Sequence, residues 1–170
     1  WMVTSKNGKE EAAAKNNHAV AFYLQLAVYA DFVGDQEKLA ACRKQYKEVF
    51  VGKQMAVDGG FPLELARTKP YGYSIFQLDN MVLLCQVLST KEDNPWEFTF
   101  LYPFLADKSK WTLKPDVQAW EGWPARQPSL LFAGRQFGET AYLDLWKKLP
   151  SDPTDPEVQR NIGVTQPVLW

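Results

Sequence analysis

Residues 17–33 read NHAVAFYLQLAVYADFV. Wound at 3.6 residues per turn, this stretch places apolar side chains on nearly every face, which predicts a helix buried over most of its surface. Gly34 supplies the left-handed residue that ends such a helix, and Asp35 is positioned to cap the next one. The following segment, DQEKLAACRKQYKEVF over 35–50, is amphipathic: Leu39, Cys42, Tyr46 and Val49 form one stripe, and Glu and Lys side chains fill the other. An apolar helix joined by so short a link to an amphipathic one predicts a helical hairpin, its first member facing the core.

Working outward, VGKQMAVDGGFP (51–62) breaks the helical period with Gly52, Gly59, Gly60 and Pro62 and reads as a loop leading into LELART (63–68). After Pro70, the run YGYSIFQLDNMVLLCQVLST (71–90) keeps apolar residues at helical spacing through Leu88 and predicts a third buried helix. Beyond Thr90, Pro95, Pro103, Pro115, Pro124 and Pro128 punctuate aromatic-rich stretches that leave room only for short helices. Two late helices are expected, PSLLFAGRQFG (128–138) and TAYLDLWKKL (140–149), followed by an extended tail, SDPTDPEVQRNIGVTQPVLW. No fixed-period repeat is present. The pattern predicts an all-α fold of antiparallel helix pairs in one domain over residues 1–170, suited to a layered α/α toroid with long aromatic-rich loops.

Composition narrows the function classes. The 170 residues are 46% hydrophobic and 23% charged, as in an ordinary globular domain, and the net charge of -1 argues against a domain-wide nucleic-acid footprint. No apolar run approaches the roughly 20 residues of a membrane helix. A single histidine rules out a multi-histidine metal site within these residues. Cys42 and Cys85 lie in helical apolar patterns and read as buried thiols, with a disulfide neither demanded nor excluded. A chain that opens on Trp1 reads as a processed or excised fragment, so any targeting signal would lie upstream.

Two short segments carry the chemistry. Asn16-Asn17-His18 stands at the mouth of the first buried helix, where unpaired N–H groups favour anions. The second segment, GGFPLELARTKPYGYS, sets Glu64, Arg67, Tyr71 and Tyr73 after a glycine loop. Taken singly, each residue has an ordinary structural reading: Asn16 or Asn17 as a cap, Glu64 with Arg67 as a local ion pair, the tyrosines as packing aromatics.

Taken together, Asn16-Asn17-His18, then Glu64-Leu65-Ala66-Arg67-Thr68, then Gly72-Tyr73-Ser74, resemble the alginate lyase superfamily of bacterial polysaccharide lyases. Many members of that superfamily carry His where this chain has Gly72, and Gly where it has Ala19. The resemblance covers most of the chain, including the closing QPVLW. It implies the C-terminal half of an α/α-toroid catalytic domain, an incomplete (α/α)n ring whose N-terminal helices lie outside these 170 residues. It further implies β-elimination on an anionic uronate polymer, alginate or polymannuronate foremost, with no cofactor, no metal, no nucleic acid and no membrane partner, in a periplasmic or secreted setting. Asn17, His18, Arg67 and Tyr73 are the expected catalytic residues, and Asn16, Glu64 and Tyr71 are expected to bind substrate.

The chemistry suits these residue types. The C5 proton of a uronate is hardly acidic beside an ionised carboxylate, so the site must neutralise that charge; Asn17, His18 and Arg67 supply N–H donors and a planar cation. Tyr73 suits proton transfer, given nearby positive charge to favour its phenolate. In mannuronate the proton and the leaving oxygen share a ring face and one tyrosine can serve both. In guluronate or glucuronate stereochemistry an imidazole such as His18, opposite the tyrosine, can take the proton. Trp96, Trp111, Trp120 and Trp123 could stack on sugars or pack in the core, whereas Lys114 and Arg126 read as solvated surface charges. The alternatives are a helical carbohydrate-binding protein without turnover, a glucuronan-type lyase of the same fold, and a toroid hydrolase using acidic residues such as Asp31, Asp58 or Asp79.

Overall fold

Helices form where the apolar runs predict them. The computed structural model describes residues 1–98, 126–151 and 156, the side chains of Tyr71 and Phe98 excepted. In order, α1 is Lys6–Ala12, α2 Asn17–Val33 and α3 Gln36–Gln45; a π-helical run covers Tyr46–Gln54. Then come α4 (Pro62–Leu65), α5 (Pro70–Leu88), a 3-10 turn (Pro95–Phe98), α6 (Pro128–Phe137) and α7 (Thr140–Lys148). The described residues contain no strand, and none of their helices is long and apolar enough to cross a membrane.

The α2–α3 hairpin turns on Gly34 and Asp35. Gly34 adopts φ 73°, a conformation that costs a residue bearing Cβ, and Asp35 accepts the Lys38 N–H at 3.0 Å to start α3. The expected loop after Phe50 begins later than its glycine suggested. Helix continues through Val51, Gly52 and Lys53, and its wider i→i+5 turns keep Tyr46, Phe50 and Gln54 on one buried face. That packing outweighs the helix-weakening effect of the exposed Gly52.

At the centre lies α5. Leu78, Met81, Val82, Leu83, Leu84, Cys85 and Leu88 are all withdrawn from water, each contributing roughly 1.5–3 kcal/mol for its larger side chains. Its most extensive contact is with α2; α6, α4 and α3 pack around the rest. Burial all round therefore describes α5 better than α2. On α2, Ala19, Val20, Phe22, Ala27 and Ala30 face the core, while Tyr29, Phe32 and Val33 remain exposed, Phe32 at 89%.

Several cross-links hold the layers in register. Arg43 Nε donates to the Leu88 carbonyl at 2.7 Å, Lys47 pairs with Asp93, and the Cys85 thiol donates to the Tyr46 hydroxyl at 2.8 Å. Cys42 and Cys85 are buried and not joined by a disulfide, and burial pushes the Cys42 thiol up to about 11. Trp96 packs in the core, edge-on to Phe137 at 5.7 Å between ring centroids, so it has no face to offer a sugar. Arg126 is not a solvated charge: it donates to the Leu149 and Lys147 carbonyls at 3.0 and 3.2 Å, closing the C-terminal end of α7. Trp111, Lys114, Trp120, Trp123 and the expected tail beyond Pro156 lie outside the described residues.

Candidate active site

The site is assembled from the start of α2, the short α4 and the first turn of α5. In the loop before α4, Gly59 takes φ 85°, its N–H donates to the Ala56 carbonyl at 2.9 Å, and the Gly60 N–H donates to Asp58 Oδ1 at 3.0 Å. This tight turn delivers Phe61, fully buried, and Pro62 at the first position of α4. One turn of helix then carries Glu64 inward, and its own carbonyl accepts the Arg67 N–H at 3.1 Å. Pro70 opens α5 in the same way, placing Tyr73 in its first turn.

Glu64 is the hub. Its side chain is wholly buried, and Asn17 grips both carboxylate oxygens: the backbone N–H donates to Oε1 at 2.7 Å and the side-chain amide to Oε2 at 3.0 Å. Arg67 Nη1 donates to the same Oε2 at 3.2 Å. Burial raises the Glu64 carboxyl above its ordinary range, while the Asn17 N–H and the Arg67 charge pull it back. A carboxylate only accepts, so the Asn17 amide must turn its nitrogen toward Glu64. One of the two amide hydrogens is thereby engaged.

Arg67 leads on to Tyr73. The guanidinium carbon sits 3.4 Å from the centroid of the Tyr73 ring, a stacked cation–π contact that a lysine could not reproduce with the same planarity. Asn17, Glu64, Arg67 and Tyr73 thus form one continuous chain of contacts. His18, next to Asn17, is about half exposed and bonds through Nδ1 to Glu11 Oε2 at 2.8 Å. Asn17, His18 and Glu11 border an open cavity of about 360 Å³, whose apolar walls include Phe22 and Phe76.

The remaining expected residues divide. Asn16 precedes α2 and its carbonyl accepts the Ala19 N–H at 3.1 Å, but its side chain makes no cap bond. The Tyr71 side chain lies outside the described residues. Glu64, expected against substrate, has both oxygens occupied by the protein itself. Glu11 carried no signal in the sequence, because its approach to His18 depends on how residues 13–16 reverse the chain between α1 and α2. Of the acids a hydrolase would draw on, Asp58 braces the glycine turn, Asp31 is exposed, and Asp79 is buried beneath α6, accepting the Ser129 N–H at 3.1 Å. Among the described residues no group of three His, Cys, Asp or Glu side chains is placed to hold a metal ion.

The sequence profile of the alginate lyase family matches residues 1–111, a span that contains every member of this network. The chain belongs to the alginate lyase family. A crystal structure of an alginate lyase from Bacteroides ovatus superposes with a TM-score of 0.63 at 26% identity, covering 95% of this chain and 46% of that one. This chain therefore spans about half the length of the alginate lyase it matches. No curated protein matches it.

Proposed function

We propose that the chain is part of a polysaccharide lyase that cleaves an anionic uronate polymer, alginate or polymannuronate foremost, by β-elimination. The observation that carries this reading is the unbroken run of contacts from Asn17 through Glu64 and Arg67 to Tyr73. Glu64 acts as a positioning residue: it orients the Asn17 amide and holds the Arg67 guanidinium, so both donors are fixed before a sugar carboxylate arrives. Charge that develops toward the C5 carbanion is met by preorganised N–H groups. Tyr73, with the Arg67 cation against its ring, takes the C5 proton from mannuronate and returns it to the leaving 4-oxygen.

The same reading makes this chain one part of a larger α/α toroid. The outward apolar side of α2, with Tyr29, Phe32 and Val33, is where further helices of such a ring would pack, and the matched crystal chain is about twice this length. The test is ultraviolet absorbance during incubation with polymannuronate, polyguluronate and glucuronan in separate reactions. A lyase leaves a conjugated unsaturated uronate, so absorbance should rise on at least one polymer and Tyr73→Phe should abolish the rise. Retained polymer binding with no rise on any substrate would reassign the chain as a carbohydrate-binding protein.

A further inference from the structure

The first described helix, α1, is short but well anchored. The Ser5 hydroxyl accepts the Gly8 N–H at 3.1 Å, and a Cβ on Gly8 would stand 1.7 Å from the Met2 carbonyl oxygen, so only glycine lets α1 sit this close to the preceding turn. It packs along the first part of α2. This places Glu11, seven residues before His18, beside the imidazole.

An ionised carboxylate can only accept, so the nitrogen that meets Glu11 must carry the hydrogen. In a neutral imidazole that assignment fixes the other nitrogen: Nδ1 is the donor to Glu11 and Nε2 keeps a lone pair. Nε2 has no partner among the described residues, and the ring borders the open cavity next to Asn17. An imidazole held in this tautomer cannot donate from Nε2 to a sugar carboxylate. It can accept a proton there.

We infer that Glu11 is a positioning residue that holds His18 in its Nδ1–H tautomer and thereby makes Nε2 a proton acceptor, fitting the site to uronates whose C5 proton lies opposite the leaving oxygen. This rests on the lyase reading above and extends its substrate range from mannuronate to guluronate or glucuronate. In that reaction the C5–H electron pair becomes the new C4–C5 double bond and the C4–O bond breaks. The proton passes to His18 Nε2, and Tyr73 protonates the departing oxygen.

The experiment uses the full chain, whose single histidine gives one unambiguous pair of ring nitrogens. Nitrogen-15 spectra at alkaline pH should show the Nδ1–H form in the wild type and a shift toward Nε2–H in Glu11→Ala. Turnover of polyguluronate by Glu11→Ala should fall roughly tenfold with KM little changed, while polymannuronate turnover changes by less than about twofold. Glu11→Gln keeps an oxygen acceptor and should restore most of both readouts. Both side chains are about half exposed, so neither variant should change the thermal midpoint. An unchanged tautomer in an active Glu11→Ala chain, or an equal loss on both polymers, overturns the role of Glu11. A shifted tautomer in a chain that forms no unsaturated product from any polymer overturns the lyase reading instead.

Discussion

Glu64 and Asp79 are both withdrawn from water, at 0% and 1% exposure, yet the protein treats them in opposite ways. Glu64 receives two donors from Asn17 and one from the Arg67 cation. Asp79 receives the Ser129 N–H on Oδ1 and has no partner for Oδ2 among the described residues. Burial raises both carboxyls, but Asp79, without a cation, is pushed up to about 7. The contrast shows that it is the supply of donors, rather than burial, that separates a carboxylate built to hold charged neighbours from one that the fold prefers to keep protonated.

Removing Glu64 should have the largest effect. Glu64→Ala leaves a partly buried guanidinium without its counter-charge and the Asn17 N–H unpaired, and is expected to cost roughly 3–5 kcal/mol of stability. Lyase turnover should fall about 100- to 1,000-fold with it, since Asn17 and Arg67 lose their fixed orientation. Urea unfolding and product absorbance measure the two losses. If Asp79→Ala proved the more destabilising, the ranking of the two sites would be inverted.

Next in size is a pH effect from Asp79. Its folded pKa of about 7 lies above the ordinary value of 3.8, so the folded chain holds the proton more tightly than the unfolded one. The stabilising contribution is therefore complete below about pH 4 and is lost as pH rises through 7, on the order of 4 kcal/mol in all. Thermal midpoints should fall over that window, and Asp79→Asn should flatten the decline. A flat wild-type profile would show that Oδ2 finds a donor after all. The corresponding swap, Glu64→Gln, should destabilise at neutral pH, because a neutral amide gives Arg67 no counter-charge.

Arg67→Lys separates charge from shape. The cation remains but the planar contact with Tyr73 and the fork are lost, so turnover should drop roughly 10- to 100-fold while stability changes by about 1 kcal/mol. The smallest effect belongs to a third carboxylate, the half-exposed Glu11. As a solvated pair with His18 it should contribute less than about 0.5 kcal/mol, and unfolding of Glu11→Ala should show that its influence is on the imidazole rather than on the fold.

Much of this architecture was legible in the sequence because apolar runs and stop signals agreed. The bounds of α2, α5 and the two late helices follow from Gly34, Pro70, Pro128 and Gly138, residues whose backbone chemistry is local. The π-helical run past Gly52 was not legible, since it depends on packing Phe50 and Gln54 against other elements. The same division runs through the site. The family resemblance of the two motifs pointed to Asn17, His18, Arg67 and Tyr73, whereas Glu64 as a buried hub and Glu11 as a neighbour of His18 are tertiary facts. They rest on bonds spanning 47 and 7 residues, and no local pattern encodes the first of these.

The Asn17–Glu64 bond also bears on the order in which the chain folds. Helices such as α2 and α5 can form from local contacts within microseconds, but this bond closes only when segments 47 residues apart have docked. Circular dichroism in a refolding experiment should therefore recover ahead of site competence, and the interval between them would time the final docking step.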